Sequence, residues 1–212
     1  MSDMPPTSPQ VHFWRGDFGN HYTDRNNLRP ELLRARIALW SEILAGTFAS
    51  PPQSVLELGA NVGMNLRALR ALTGARFYAV EPNDKARAIL VEDGVVQDGD
   101  AKPGIASSID FPDAFADLVF TSGVLIHIHP RDLRASMREM HRCAARYIVS
   151  IEYFADQPTE IPYRGHGDVL FKQDFGGLWL DNFADLRIRS YGFAWKRVTG
   201  LDNLTWWLLE KR

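Results

Sequence analysis

The chain has 212 residues, of which 45% are hydrophobic and 24% are charged, and its formal net charge at pH 7 is −2. This length suits one large domain and is short for two, and the near-neutral charge excludes a strong overall attraction to nucleic acid or anionic lipid. The single cysteine, Cys143, excludes an internal disulfide framework and a zinc site built from several cysteines.

The start of the chain is rich in proline and polar side chains, and we predict that residues 1–11 are disordered. This segment has no basic start followed by an apolar run, so it does not resemble a secretory signal. Apolar runs elsewhere are far shorter than the roughly 20 residues that a membrane span requires. We therefore expect a cytoplasmic protein without a membrane segment.

Residues 12–48 are predicted to form a lid and a helix ahead of the core. The segment FWRGDFGNHYTDRN combines aromatic and polar residues with two glycines, which suits an ordered loop or a short helical lid. Apolar side chains then recur at helical spacing over residues 30–48, and Pro30 suits the first turn of that helix.

Strands and helices alternate from residue 54 onwards. The predicted strands cover 54–58, 76–81, 95–97, 117–122 and 147–154, and the predicted helices between them cover 62–72, 84–92 and 131–144. Such alternation is typical of an α/β fold with a mostly parallel sheet. We take residues 54–152 as the core and residues 153–212 as an acceptor loop with closing strands.

The alternation stops after residue 153. A short helix in FGGLWLDNFADL precedes two strand-like segments, LRIRSYGFAW and DNLTWWLLEK, and we predict that these form an antiparallel hairpin at the sheet edge. Residues 154–173 lack clear periodicity. Long irregular segments in compact domains are often functional, so this loop is a candidate for ligand binding.

The stretch VLELGANVGMN at 55–65 reads as a strand that ends in a glycine turn before a helix. Glycines let the backbone approach a ligand closely, and a helix N-terminus offers free N–H groups. A dinucleotide site would need GxGxxG, but the middle glycine is absent between Gly59 and Gly63. The carboxylate of Glu57 would repel a pyrophosphate and attract a cation, such as a sulfonium or an ammonium.

The same stretch resembles the first motif of class I S-adenosylmethionine-dependent methyltransferases, an acid-x-Gly-x-x-x-Gly pattern. Two more acids stand where that family places them, Glu81 in FYAVEPN for the ribose hydroxyls and Asp100 in QDGDA for the adenine amino group. Carboxylates suit both places because hydroxyls and an exocyclic amine are hydrogen-bond donors. The resemblance implies the cofactor S-adenosyl-L-methionine, bound by Glu57, Gly59, Ala60, Asn61, Gly63, Glu81, Pro82, Asp100, Ala101, Ser122, Gly123 and Val124.

The resemblance implies a single Rossmann-like class I methyltransferase domain. Its sheet is then mostly parallel and seven-stranded, with an antiparallel C-terminal hairpin and an N-terminal helical lid. The chain also resembles a narrower family, the methyltransferases associated with pseudaminic acid biosynthesis, in FWRGDFGNHYTDRN, ELGANVGMNLRAL, GVLIHIHP, IPYRGHGDVLFKQDF and DNLTWWLLEK. That family is associated with surface-glycan genes, which implies a sugar-related acceptor such as a nonulosonic acid or a nucleotide sugar.

Methyl transfer to a hydroxyl benefits from a general base, whereas an amine or a carboxylate needs little beyond orientation. The candidate bases are His127 and His166. The alternative for His127 is a structural histidine packed below the cofactor, and His129 is expected to be a loop or capping residue. We expect no metal site, because the HIH segment has no third ligand placed by spacing.

The other candidate binding residues lie in the irregular loop and the lid. Tyr163, Arg164, His166 and Lys172 suit a charged or polyhydroxylated acceptor, unless their loop is only a surface connection. Tyr22 and Arg25 are candidates for the methionine end of the cofactor, the alternative being simple packing of the lid.

The predicted function is methyl transfer from S-adenosylmethionine to oxygen or nitrogen of a small, sugar-related acceptor. Another small metabolite or natural product is the alternative acceptor, since the donor motifs say nothing about it. Two other classes stay open, a NAD-dependent oxidoreductase, which Glu57 and the missing glycine oppose, and a non-catalytic cofactor-binding partner of another enzyme. Nucleic acid is not an expected partner, because no basic surface interleaved with aromatic residues is evident.

Overall fold

The computed structural model describes residues 9–25, 29–163, 167 and 169–212. Two predicted site residues, Arg164 and His166, lie outside the described residues, and so do residues 1–8 of the segment predicted to be disordered. The described part of that segment is helical, because the first helix begins at Pro9.

The described residues form eight α-helices and nine strands. The helices are α1 (Pro9–Arg15), α2 (Asp17–Arg25), α3 (Pro30–Ala45), α4 (Met64–Arg70), α5 (Asp84–Glu92), α6 (Pro130–Cys143), α7 (Phe175–Asn182) and α8 (Lys196–Thr199). The strands are β1 (Ser54–Leu58), β2 (Arg76–Val80), β3 (Ala101–Lys102), β4 (Ala116–Ser122), β5 (Ala144–Glu152), β6 (Thr159–Glu160), β7 (Phe171–Lys172), β8 (Leu186–Ala194) and β9 (Leu204–Lys211). A single 3-10 turn, Leu125–His127, follows β4.

Seven strands form one sheet in the order β3-β2-β1-β4-β5-β9-β8. The first five of these are parallel to one another, whereas β9 runs antiparallel to β5 and β8 antiparallel to β9. The predicted fold is therefore confirmed: the domain is Rossmann-like, mostly parallel, and closed by an antiparallel hairpin. The strand order reverses between β1 and β4, and ligands of open α/β sheets bind beside the carboxyl ends of strands at such a point.

The central strands are buried on both faces, as parallel strands covered by helices must be. Four consecutive residues of β1, from Val55 to Leu58, are buried, and Glu57 is the acid among them. On one face α3 and α4 cover the sheet, with the fully buried Trp40 ring 4.6 Å from that of Phe120 in β4. On the other face α6 and α7 complete the core. The sheet thus holds an ionisable group at its centre, next to the switch point.

The lid consists of two short helices, α1 and α2, instead of one loop or helix. Their aromatic rings pack on one another: the ring centroids of Phe13 and Phe18 are 3.9 Å apart, and those of Trp14 and Tyr22 are 5.3 Å apart. None of the described helices is long and apolar enough to cross a membrane.

The predicted third strand at 95–97 is wrong. Val95 and Val96 are buried, but both lie in the turn after α5, where their N–H groups donate to the Leu90 carbonyl at 2.8 and 3.2 Å. The third strand of the sheet is the two-residue β3, Ala101–Lys102. Valine favours strands, but the N–H groups of Val95 and Val96 already donate to the end of α5 and cannot pair with β2. The strand that pairs with β2 therefore forms later in the chain.

Other elements differ from the prediction mainly at their ends. The helix expected over 62–72 covers only Met64–Arg70, because Gly63 before it adopts a left-handed conformation, with φ 72°. The irregular loop 154–173 contains a small two-stranded antiparallel sheet, in which Thr159 pairs with Lys172. This sheet holds the loop beside the 3-10 turn that follows β4.

Candidate functional site

A cavity of about 500 Å³ lies at the carboxyl ends of β1, β2 and β4. The lid, α3, the turn after β1, the loop after β3 and the start of α6 complete its wall. This volume lies within the range of about 300–1,000 Å³ that small-molecule and cofactor sites occupy. Ten of the fourteen predicted donor-binding residues line it, namely Tyr22, Glu57, Gly59, Ala60, Asn61, Glu81, Pro82, Ser122, Gly123 and Val124.

The glycine turn after β1 is held in a conformation that ordinary residues disfavour. Gly59 has φ 68° and Asn61 has φ 47°. A Cβ atom on Gly59 would lie 2.6 Å from the Val124 side chain, so the turns after β1 and β4 touch here. Gly63 is outside the cavity lining and does a structural task, because a Cβ there would meet the Leu90 side chain at 2.6 Å.

We expect Gly63→Ala to lower the free energy of unfolding by about 3 kcal/mol, from the left-handed backbone and the clash with α5. The matched control is Gly74→Ala, where a Cβ meets nothing within 4 Å and the backbone needs no positive φ. Thermal melts should show a loss of several degrees in the first variant and little change in the second. Equal melting temperatures for the two variants would contradict this account of the turn.

Glu57 lines the cavity, and only one of its two carboxylate oxygens has a hydrogen-bond partner among the described residues. Its Oε1 accepts a hydrogen bond from Asn65 Nδ2 at 2.8 Å, and Asn65 Oδ1 in turn accepts from Trp40 Nε1 at 3.3 Å. Its Oε2 is buried and has no hydrogen-bond partner among the described residues. Burial raises the pKa of Glu57 to about 8, against the opposing effects of Asn65 and of the Arg36 charge. A buried acceptor without a partner is costly, and a cationic ligand would satisfy it.

Arg36 also lines the cavity, and the sequence analysis missed it. Burial lowers the pKa of its guanidinium, while the acids Glu57 and Asp202 and the phenol of Tyr22 favour its charged form. Arg36 stands three residues after Leu33 and four before Trp40, on the stripe that packs against the core. A cation on the apolar side of a predicted helix was the signal that could have identified it.

Glu81 follows β2 and is almost fully buried. Its two oxygens accept hydrogen bonds from the backbone N–H groups of Asn61 and Asn83, both at 2.8 Å. Burial raises the pKa of Glu81, whereas these two N–H groups and the Arg87 charge act in the opposite direction. The carboxylate is therefore fixed between the turn after β1 and the start of α5, with acceptor capacity left on both oxygens.

Asp100 and Ala101, which were predicted for the adenine site, differ from the other predicted acids and turns in their position. Asp100 comes directly before β3, and its carboxylate binds the Arg76 guanidinium at 3.0 and 3.1 Å, towards the start of β2. Neither Asp100 nor Ala101 is part of the cavity lining; the loop Gly104–Ser107 after β3 takes this place. The cause is the misplaced third strand, because the acid precedes β3 and does not follow it.

His127 lies in the 3-10 turn after β4, where it lines the cavity and is held by the irregular loop. Its Nδ1 is 2.6 Å from the carbonyl oxygen of Val169. A carbonyl only accepts, so Nδ1 carries the proton and Nε2 carries the lone pair. The imidazole is flanked by Trp14 and Tyr163, with ring centroids 4.9 and 5.1 Å away, and burial lowers its pKa. The geometry is that of a neutral imidazole.

Besides Gly63, Asp100 and Ala101, three more described residues that were predicted to bind ligands stay outside the cavity lining. Arg25 lies over the rings of Phe18 and Tyr22, with its guanidinium carbon 5.8 and 6.0 Å from their centroids. The Lys172 ammonium lies 5.1 Å from the centre of the Tyr153 ring. Tyr163 contributes through its contact with His127 and not by lining the cavity itself.

The start of α6 adds polar groups that were not predicted as site residues. Asp132 and Ser136 line the cavity together with His129. The capping role expected for His129 is confirmed, because its Nδ1 accepts a hydrogen bond from the Arg131 N–H at 3.2 Å. Within the described ranges no group of three or more His, Cys, Asp or Glu side chains is arranged to hold a metal ion.

Residues 56–146 match the family described as "Methyltransferase domain". The fold is similar to that of 1,6-didemethyltoxoflavin-N1-methyltransferase from Burkholderia thailandensis, solved with 1,6-didemethyltoxoflavin and S-adenosylhomocysteine. Identity is 19% over 99% of this chain and 93% of that chain, with a TM-score of 0.71. Residues 56–146 thus resemble a methyltransferase domain, and the whole chain shares the fold of a methyltransferase that was solved with S-adenosylhomocysteine.

Two further solved structures show how much the reactions on this fold vary. The chain is 11% identical to magnesium protoporphyrin IX methyltransferase from Synechocystis PCC 6803 with bound SAM, over 99% of this chain and all of that one, with a TM-score of 0.68. It is 13% identical to the [4+2]-cyclase SpnF, over 82% of this chain and 81% of that one, with a TM-score of 0.58. No curated protein matches the sequence. The acceptor must therefore be argued from the site.

Proposed function

We propose that the protein is an S-adenosylmethionine-dependent methyltransferase that transfers a methyl group to oxygen or nitrogen of a small, sugar-related acceptor, with His127 as general base for a hydroxyl. The observation that carries the proposal is the tautomer of His127. The Val169 carbonyl holds the proton on Nδ1, which leaves a basic Nε2 on a side chain that lines the cavity beside the turn after β4. Because burial lowers the pKa of His127, the imidazole is ready to accept a proton at neutral pH.

The residues of the cavity fit the cofactor. S-adenosylmethionine supplies, when bound, a methyl group on a positively charged sulfur. Glu57 would bind its ammonium through the unpaired Oε2, and Arg36 would bind its carboxylate. Glu81 would accept hydrogen bonds from the ribose hydroxyls, and the loop Gly104–Ser107 would cover the adenine. A side chain at position 59 would clash with Val124, so only glycine fits in the turn after β1.

The wall of the cavity supports an acceptor that has both polar and apolar faces. Asp132, Ser136 and His129 offer hydrogen bonds on one side, and the rings of Trp14 and Tyr22 offer apolar surface on the other. Sugars present hydroxyls at their edges and C–H groups on their faces, so this pairing suits a sugar-related molecule such as a nonulosonic acid. We place the reaction in the cytoplasm, since Cys143 is a buried free thiol and suits a reducing compartment.

A planar natural product is the second candidate acceptor. The aromatic lid supports it, because Trp14 and Tyr22 would stack on a flat ring as readily as on a sugar face. The need for a general base distinguishes the sugar acceptor from the planar one. A hydroxyl acceptor needs proton removal by His127, whereas a ring nitrogen with a free lone pair does not.

An acceptor panel tests the proposal. Purified protein with labelled S-adenosylmethionine is offered nucleotide-activated nonulosonic acids, free sugar acids and planar heterocycles, with a His127→Ala variant alongside. Methylation of a sugar hydroxyl that falls strongly in the variant is the expected result. Methylation of heterocycles alone, undiminished in the variant, would contradict both the sugar acceptor and the base.

Cofactor binding is expected to depend on pH through Glu57. Its pKa of about 8 means that the empty site holds a proton on Glu57 at pH 7, and an arriving ammonium favours the carboxylate. The complex therefore binds fewer protons, and affinity should rise about tenfold per pH unit from pH 6 to 7 and level off near pH 8.

Calorimetry of S-adenosylmethionine binding at pH 7 in two buffers with different ionisation enthalpies measures this proton release. Wild type should release about one more proton than Glu57→Gln, whose side chain cannot ionise. The comparison isolates Glu57 from Glu81, which also has a raised pKa. Equal proton release in both proteins would rule out an ammonium contact at Glu57.

A further inference from the structure

Glu152, the last residue of β5, is a buried acid that the steps above do not use. Its carboxylate reaches the turn after β4, 26 to 28 residues earlier in the chain. Oε1 accepts hydrogen bonds from the N–H groups of Val124 and Leu125 at 3.3 and 3.2 Å, and Oε2 accepts from that of Ile126 at 3.3 Å. One side chain thus serves three consecutive backbone donors.

The backbone of β5 continues the same pattern. The N–H of Gly123 donates to the Ile151 carbonyl at 2.8 Å, so all N–H groups from Gly123 to Ile126 are accepted by the end of β5. The next N–H, that of His127, closes the 3-10 turn onto the Val124 carbonyl at 2.9 Å. The position of the His127 backbone is therefore set by the turn that Glu152 holds.

The hydrogen bonds of Glu152 join the end of β5 to the turn after β4 through a fully buried acid. Burial raises the pKa of Glu152 to about 7, against the opposing effect of the hydrogen bonds that its carboxylate accepts. Buried acids are normally paired with a cation, because desolvation is expensive. Glutamine would be nearly isosteric, but only one of its terminal atoms accepts hydrogen bonds, so it cannot serve donors on both sides.

We propose that Glu152 is a positioning residue for methyl transfer: by holding the N–H groups of residues 124–126 it places His127 so that Nδ1–H meets Val169 and Nε2 is free to act on the acceptor. This role rests on the proposed function of His127 as base. It differs from the cofactor contacts, because Glu152 does not line the cavity.

The first test needs no acceptor. In ¹⁵N-labelled wild type, the signal assigned to His127 by its loss in His127→Ala should show a single Nδ1–H tautomer. In Glu152→Gln the tautomers should mix and the amides of residues 124–126 should exchange with solvent at least about tenfold faster. The matched control is Glu42→Gln, an exposed glutamate of α3, which should leave both signatures unchanged. Glu152→Asp, too short to reach the turn, replaces Glu152→Gln if the latter does not fold.

The second test is a double-mutant cycle with the acceptor from the panel. Glu152→Gln should lower kcat about 10- to 100-fold and leave affinity for S-adenosylhomocysteine within about threefold. In the His127→Ala background it should have almost no further effect on kcat, because both changes remove the same contribution. An unchanged His127 tautomer, or an equal loss of kcat in both backgrounds, would overturn the inference. If wild-type protein fails to bind S-adenosylhomocysteine, the proposed function itself fails.

Discussion

Glu81→Ala is expected to weaken binding of S-adenosylhomocysteine at least about 100-fold, the largest effect of any single change in the donor site. The ribose hydroxyls would lose both of their charged acceptors. The N–H groups of Asn61 and Asn83 would also lose their partner, so the turn after β1 and the start of α5 would no longer be joined. Calorimetric titration of folded protein measures the loss directly.

Asp100→Ala is the control, because the sequence and the structure predict different effects of this change on cofactor binding. If Asp100 bound adenine, as the motif alone implied, its loss would weaken the complex strongly. The structure places its carboxylate on Arg76, outside the cavity lining, so affinity should stay within about threefold of wild type. A large loss in Asp100→Ala with little change in Glu81→Ala would contradict the site described above.

His127→Ala is expected to lower kcat for a hydroxyl acceptor by about 10²- to 10⁴-fold, the usual contribution of a general base. Affinity for S-adenosylhomocysteine should change little, because the donor contacts assigned above lie on other side chains. In wild type, kcat should fall as the pH drops below the pKa of His127, since only the neutral imidazole accepts a proton. Burial lowers that pKa below the ordinary histidine value of 6.5, so the fall should begin only in mildly acidic solution.

The matched control is His141→Ala. His141, in α6, is half-buried, stacks on Phe183 with ring centroids 4.5 Å apart, and has Nε2 2.9 Å from the Asp185 carboxylate. It lies outside the cavity lining, so its loss should affect stability and leave kcat unchanged. Equal kcat values for His127→Ala and wild type would exclude His127 as the general base and favour a nitrogen acceptor.

Predictions from the sequence succeeded where the signal was local. The strand at 54–58 and the helix at 84–92 agree with β1 and α5 at both ends. In each case a few adjacent residues suffice: an apolar run, a glycine turn, or an Asn83 side chain that caps the helix through the Ala86 N–H at 3.0 Å. Glu57, Gly59 and Glu81 could be placed at strand ends for the same reason, because their neighbours define each strand, while their contacts with a cofactor stay a prediction.

Predictions failed where the deciding partner was distant in the chain. β3 has only two residues, too few for any pattern, and exists because β2 lies beside it. Arg36 and Glu152 looked like ordinary charges in a helix and a strand. The charge interaction of Arg36 with Glu57 and the hydrogen bonds of Glu152 with the turn after β4 join parts of the chain that the sequence does not show to be close.

The sequence by itself determined the alternating α/β architecture, the glycine turn and the acids beside it. Backbone conformation and the periodicity of buried residues depend mainly on neighbouring residues, so a local pattern is enough to predict them. The tertiary structure alone decided which acid reaches the cavity, which tautomer His127 adopts and which side chain holds its turn. Those outcomes depend on the register of short strands and on hydrogen bonds between elements far apart in the chain. A displacement of one short strand was enough to exchange Asp100 for the loop Gly104–Ser107 in the cavity wall.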